Sequence, residues 1–365
     1  MHISESIKSG PRGPVATADS SDRVERKKNL ANWRTLLIFL SMLGILLLLS
    51  RHFNHQASQL HSLTESSIVA FSANLPDPAE QPARITVFRA ESAAKLINEL
   101  KKNHLWEIKA GNSVTPLLLA AYPSDLDTLS ISLKKKAFLH SLLPAALMAN
   151  AEIAKERETL LSIIAKIPIP FSNFTFSGLQ KSWQKFVDKD EINFLKGLTR
   201  KYRTRRPEKL LKRVNVIPVS LILAQGALES SWGTSRFTKE GNSLFGLWTW
   251  RENGLVPINR DEGKNHKVEA YDSIFASLSK YTLTLNRLDA YADFRTIRTK
   301  SFDPYDLAEG LQLYSERGMD YVNDIKKVIS SNDLTDFDEV QFPDIQVTML
   351  PPATSHTSDD RIAQL

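Results

Sequence analysis

The residue with the strongest claim to chemistry is Glu229, in the run Ala-Leu-Glu-Ser-Ser-Trp-Gly at positions 227–233. Leu221, Ala224, Gln225 and Leu228 precede it at helical spacing, so the acid stands near the end of an otherwise apolar helix. Trp232 follows at once, then Phe245, Trp248 and Trp250. A carboxyl set against aromatic walls is poorly solvated and holds its proton to higher pH. Such a group can donate that proton to a glycosidic oxygen near neutrality. Aromatic rings also suit sugars, whose C–H faces pack on them. The bland alternative is a solvent-facing glutamate without a role, because Glu is an ordinary helix residue.

Other chemistries are poorly served. The eight histidines are scattered, with no His-Glu-x-x-His pair for zinc. Gly241-Asn242-Ser243-Leu244-Phe245 lacks the second glycine of a nucleophile elbow. There is no cysteine, which removes thiolate nucleophiles and disulfides. A formal charge of +6 gives mild attraction to anionic polymers without selecting one. The basic cluster Lys201, Arg203, Arg205 and Arg206 reads first as a solvated helix end that favours the helix dipole. No nucleic-acid module with interleaved stacking aromatics is present, so no nucleic-acid partner is expected.

The elements that must position Glu229 are mostly helical. Pro218 suits a helix start, and Gly233 is placed to end the helix. A Gly-rich aromatic loop at 241–254 follows, then Val/Ile runs at 255–271 around the turn Asp261-Glu262-Gly263-Lys264, a β-hairpin pattern. Helical spacing returns at 273–288 and 304–329. Upstream, helical patterns cover 90–103, 133–167 and 179–202, with Pro144 expected to kink or break the second. The tail from Ser330, with Pro351-Pro352, is expected to be disordered.

Near the N-terminus, Thr35 to Ser50 carries no charge and is apolar on every face. With its flanks it just reaches the length of a bilayer-spanning helix. Lys8, Arg12, Arg23, Arg26, Lys27, Lys28 and Arg34 precede it, and after Arg51 the next basic residue is Arg84. That asymmetry predicts a cytoplasmic N-terminus and everything after the span outside. Ser50-Arg51-His52-Phe53 supplies no small-x-small cleavage site, so an uncleaved anchor is expected over a signal peptide.

The run LILAQGALESSWGTSRFTKEGNSLFGLW, residues 221–248, resembles the signature of the bacterial glucosaminidase domain, glycoside hydrolase family 73. Its two halves are Ala224 to Gly233 and Asn242 to Gly246. Residues 268–294 resemble the family's hairpin exit and next helix, and Ala308 to Ile325 its last helical motif. Residues 133–160 and 205–225 are similar to the Bax-type branch, so the resemblance covers about residues 125–330.

That resemblance implies a mainly α fold: a lysozyme-like α lobe with a small β-hairpin lobe, preceded by a helical region and a single transmembrane helix. The implied organisation is a cytoplasmic disordered tail (1–31), an anchor (32–51), a tether (52–84), a helical region (85–204), the glucosaminidase domain (205–330) and a disordered tail (331–365). Glu229 is the implied acid, with Glu262 and then Glu269 as candidates for a second carboxylate. Gln225, Ser230, Trp232, Asn242, Phe245, Trp248 and Tyr291 are the implied substrate-binding residues. The expected activity is endo-β-N-acetylglucosaminidase action on peptidoglycan glycan strands at the outer face of the inner membrane, without metal or cofactor. A lytic transglycosylase and a wall-binding protein without catalysis are the alternatives.

Overall fold

The computed structural model describes residues 84–167, 185–258, 260 and 262–343. The expected anchor, most of the tether, the start of the helical pattern at 179–202 and Asp261 lie outside these described residues.

The longest element is α2 (Ile131–Ala165), which runs uninterrupted through Pro144. The expected break at this proline does not occur. Proline removes one helical hydrogen bond, and here the residue is buried within an all-round apolar stretch from Ala137 to Ala149 whose tertiary packing outweighs that loss. α2 is long and apolar enough to cross a membrane, yet 78% of its most apolar window is buried inside the fold. It is a core helix.

Ahead of α2, β1 (Thr86–Phe88) pairs in parallel with β2 (Leu117–Leu119), with α1 (Ala93–Lys102) between them. Behind it come α3 (Lys189–Lys201) and α4 (Pro207–Arg213), which form a small separate core with the end of α2 around Leu160, Ile163, Tyr202 and Val214. The main core gathers residues from Ala90 through Val340. The upstream region and the later segment therefore share one apolar interior.

At its centre is α5 (Val219–Glu229), buried on every face from Val219 to Ala227. Gly226 lets α5 press on α2, since a β-carbon there would lie 3.0 Å from Leu142 Cδ2. The approach to α5 is fixed by distant side chains. Asn150 brackets Ile217 with two bonds, 2.6 Å to its carbonyl and 3.1 Å from its N–H. Buried Arg298 donates to the carbonyls of Lys212, Asn215 and Val216 and to Asn286 Oδ1. Burial pushes the Arg298 pKa down to about 9.

α5 has no side-chain cap of its own. Asp338 supplies it from the far end of the chain, accepting from Ser220 N at 2.9 Å and Ser220 Oγ at 2.6 Å. The sequence pattern predicts disordered tail for the segment that carries Asp338. Instead Leu334–Glu339 forms a 3-10 turn with Leu334 and Phe337 buried, and Gln341 exchanges backbone bonds with residues 112 and 114. Apolar side chains at the interval 334, 337 and 340 outweigh the acids that suggest disorder.

The remaining elements close around the C-terminal end of α5. A short helix α6 (Arg236–Gly241) leads into β3 (Trp248–Thr249). β4 (Gly254–Leu255) and β5 (Lys267–Glu269) follow. The three form an antiparallel sheet in the order β3-β5-β4, so the expected hairpin is present as β4 and β5. Helices α7 (Ile274–Arg287), α8 (Ala292–Ile297), α9 (Pro304–Ala308) and α10 (Met319–Ser331) complete the wall. The chain is mainly α with a small β lobe, as expected.

Candidate active site

Glu229 is the last residue of α5, and the helix ends there instead of continuing to Gly233. Three consecutive residues then take left-handed backbone, Ser231 at φ 50°, Trp232 at φ 59° and Gly233 at φ 81°. Two of them are not glycine, so the turn is strained. Ser230 holds it: its hydroxyl donates to Gly226 O at 2.5 Å and accepts from Gly233 N at 2.8 Å. Ser230 is fully buried, so it positions the turn that presents Glu229.

Around the Glu229 carboxyl the structure assembles a box of phenols. Tyr281 on α7 donates to Gln225 Oε1 at 2.5 Å, and Gln225 Nε2 donates to Tyr321 Oη on α10 at 2.9 Å. The Tyr321 hydroxyl in turn faces the Glu229 carboxyl and favours its charged form. Phe245 stacks on Tyr281 at 3.8 Å and 9°. Tyr314 stacks on Tyr321 at 5.6 Å and 4°, and its hydroxyl donates to Phe245 O at 3.0 Å. Tyr291 lies 6.0 Å from Tyr314, ring to ring.

These surroundings set the electrostatics. Burial raises the Glu229 pKa, and the Tyr321 hydroxyl opposes only part of that rise. Tyr281, Tyr314 and Tyr321 are pushed well above the usual phenol range, burial first and the Glu229 charge among the other causes. Tyr291 is pushed up to about 12 by burial and then by Glu229. The phenols thus remain neutral donors around a carboxyl that resists ionisation. A carboxyl in such surroundings can hold a proton near neutrality and give it up to a base.

Gly246 lies beside the acid. It sits at φ 60°, and a β-carbon there would come within 4.0 Å of Glu229 Oε2. The Gly246 bend then delivers the chain to β3, where Leu247 O accepts from Glu269 N at 2.8 Å.

The other sequence candidates separate by their partners. Gln225 and Phe245 are buried inside the phenol box and Tyr291 borders it. Asn242, at φ 50°, caps α6 and donates its side chain to Tyr271 O at 3.1 Å. Trp232 packs edge-on against Phe138 at 5.9 Å with Lys135 above its ring at 4.7 Å, which ties the turn to α2. Trp248 is exposed on β3 and stacks on His266.

The two second-carboxylate candidates also differ. Glu269 faces Lys280 Nζ at 3.0 Å and accepts from Tyr271 Oη at 3.1 Å. Glu262 is exposed in the hairpin turn. Sequence reasoning missed Tyr281, Tyr314, Tyr321 and Lys280. The signal was the seven-residue step from Tyr314 to Tyr321 and the place of Tyr281 on the apolar stripe of α7, which by itself reads as core.

Residues 206–334 match the glucosaminidase family model, described as mannosyl-glycoprotein endo-beta-N-acetylglucosaminidase. The chain is 28% identical over 204 residues to Protein bax of Escherichia coli strain K12, covering 52% of this chain and 66% of that protein. It is 26% identical over 203 residues to the exo-glucosaminidase LytG of Bacillus subtilis, covering 51% and 69%. Over 106 residues it is 31% identical to the peptidoglycan hydrolase FlgJ of Salmonella typhimurium, covering 26% and 34%. The match thus spans about two thirds of the first two relatives and one third of the third. Among solved structures, the catalytic domain of the autolysin Auto from Listeria monocytogenes aligns at 22% identity with a TM-score of 0.28, covering 41% of this chain and 89% of that one.

Proposed function

From the premise that residues 206–334 are a glucosaminidase-family domain, we propose that this chain hydrolyses peptidoglycan glycan strands as an endo-β-N-acetylglucosaminidase. Relatives named as a glucosaminidase and as a peptidoglycan hydrolase support the substrate class. The observation that carries the chemistry is the Glu229 carboxyl, its pKa raised by burial yet its side chain only partly covered at the end of α5.

In this reading Glu229 protonates the oxygen leaving with the departing sugar. Tyr321, aligned by Gln225 and Tyr281, donates to the carboxylate that results. General acid catalysis of this kind contributes about 10²–10⁴ in rate. Glu269 is the second carboxylate we favour, because β5 joins the chain beside Gly246 through the Leu247 carbonyl. Lys280 keeps it paired, which suits a fixed negative charge better than a proton acceptor. Glu262, in an exposed turn, is the weaker candidate. The uncharged segment at 35–50 anchors the chain, with the catalytic region on the periplasmic side of the inner membrane.

One observation favours a second outcome. Both Glu269 oxygens are engaged, by Lys280 and by Tyr271, so a reaction needing only Glu229 is chemically open. A lytic transglycosylase would leave anhydro-muramyl ends. Mass spectrometry of fragments released from peptidoglycan by the full chain distinguishes the outcomes. Reducing N-acetylglucosamine ends on fragments of mixed length support endo-hydrolysis; uniform short products mean exo-action, and anhydro ends mean the transglycosylase. Bound but intact peptidoglycan would leave a wall-binding protein.

A further inference from the structure

Where the end of α7 meets the junction of α3 and α4, the chain gathers more positive charge than its fold uses. Arg203 is exposed just past the end of α3, in left-handed backbone at φ 49°. Buried Arg213, the last residue of α4, braces that turn by donating to the carbonyls of Tyr202 at 2.7 Å and Arg203 at 3.0 Å. Arg287 is the last residue of α7. Leu283, one turn earlier, packs on the second core around Tyr202 and Val214, which sets that side of α7 against the α3–α4 junction. Arg287 accordingly feels Arg203 and Arg213 as like charges and Glu269 as an opposite one.

The arginines of this region differ in what they do. Arg157, Arg213, Arg295 and Arg298 each donate to backbone carbonyls. Among the described residues Arg287 has no such bond, and its buried Nε has no partner. The neighbouring acids are taken, Asp289 by Arg213 at 2.5 Å and Glu269 by Lys280 at 3.0 Å. Helix C-termini favour cations, which accounts for arginines at these helix ends. It does not account for crowding three guanidiniums, or for a buried N–H left unpaired, which costs free energy.

We propose that Arg203 and Arg287, with Arg213 bracing the turn, form a binding site for a carboxylate on the peptide stems of the glycan strand. This rests on the glycan-hydrolase reading and adds a site for the substrate's side branch. Guanidinium forks match the two oxygens of a carboxylate. Position selects the stem as its source. Arg287 and Lys280 are seven residues apart on α7, about 10 Å along the helix. Lys280 pairs with Glu269, whose N–H bonds Leu247 O beside Gly246, and Gly246 adjoins the Glu229 carboxyl. That offset from the acid suits a branch of the strand better than the sugar being cleaved.

The site is tested by calorimetry in the full chain carrying Glu229→Gln, so that ligand is not consumed. The probes are a glycan oligomer bearing peptide stems with free carboxylates, the same oligomer with those carboxylates amidated, and inorganic phosphate. The expected result is that Arg203→Gln with Arg287→Gln weakens the acidic oligomer about tenfold, as loss of a charged hydrogen bond predicts. Arg287→Lys, which keeps the charge but not the fork, should fall between. The amidated oligomer should bind all three proteins alike. The double variant should melt no lower than its parent, because it relieves like-charge crowding. On peptidoglycan, with Glu229 intact, the double variant should raise KM several-fold while kcat moves far less.

Equal affinity of the parent for acidic and amidated oligomers would overturn the site, even if the chain cleaves peptidoglycan. So would inorganic phosphate binding more tightly than the acidic oligomer and losing that affinity in the double variant, which would assign the arginines to a phosphate. Carboxylate-dependent affinity lost with the arginines, in a chain whose intact form releases no fragments, would retain the site and sink the hydrolase reading.

Discussion

At the scale of the residue, a buried carboxyl is a stability liability. Glu229 titrates higher in the fold than its ordinary value of 4.5, so above that pH the native state holds a proton that the unfolded chain releases. Stability then falls as pH rises through the window between the two values. Replacing Glu229 by Gln removes the titration. The expected outcome is a larger gain in thermal midpoint at pH 7 than at pH 4, read by calorimetric melts; equal gains would mean that burial does not perturb this acid. Ser230 predicts the opposite direction. Ser230→Ala leaves the buried Gly233 N–H without its acceptor, which costs about 1–3 kcal/mol in urea unfolding. Glu229 was legible in sequence because an acid interrupts an apolar helix just before Trp and Gly. Its phenolic partners were not, because Tyr281, Tyr314 and Tyr321 come from other elements and only tertiary packing brings them to Gln225, Phe245 and Glu229. Trp232 is a further case: its left-handed turn sets the ring edge-on to Phe138, a contact that spacing along the chain does not give.

At the scale of the element, α5 is set by contacts at both ends and along its side. Gly226→Ala would push a β-carbon to 3.0 Å from Leu142 Cδ2, and Leu142 is fully buried. Overpacking of this kind costs about 1–3 kcal/mol, so the urea midpoint should fall without a change in slope. Asp338→Ala removes the cap on Ser220, with an expected loss of about 1–2 kcal/mol. The apolar spacing of α5 predicted the helix, and the hairpin was equally readable from its turn chemistry. The cap was not legible, because its donor and acceptor are 118 residues apart. Pro144 does not end α2 for a related reason: the local rule is outweighed by the burial of the surrounding turns.

At the scale of the whole molecule, the first and last described segments, around residues 105–114 and 334–341, meet beside α2. His140 stands at that junction, its Nδ1 2.7 Å from Leu105 O and its ring 5.6 Å from Phe337. Burial lowers its pKa from 6.5. Below pH 6.5 the unfolded chain therefore takes up a proton that the fold resists, and stability declines as pH falls toward the folded value. His140→Gln should flatten that decline in melts between pH 7 and pH 5. The C-terminal segment makes a further prediction. A chain ending at residue 330 lacks buried Leu334, Phe337 and Val340, a loss on the order of 5 kcal/mol of apolar burial. A chain ending at residue 343 should retain the parent's unfolding midpoint. The sequence motif pointed to a domain ending near residue 330, because the resemblance stopped where the recognisable pattern stopped and the packing did not.

The central claim is that Glu229, poised by the phenols around it, supplies the proton that breaks a glycosidic bond. Its most direct test is the rate at which soluble fragments leave purified peptidoglycan, compared between the full chain and its Glu229→Gln variant. The substituted amide would preserve shape and hydrogen bonding but has no acidic proton to give, so the rate should fall by about 10²–10⁴ while the melting curve shows an intact fold. A folded Glu229→Gln protein that released fragments at the parent's rate would contradict the account.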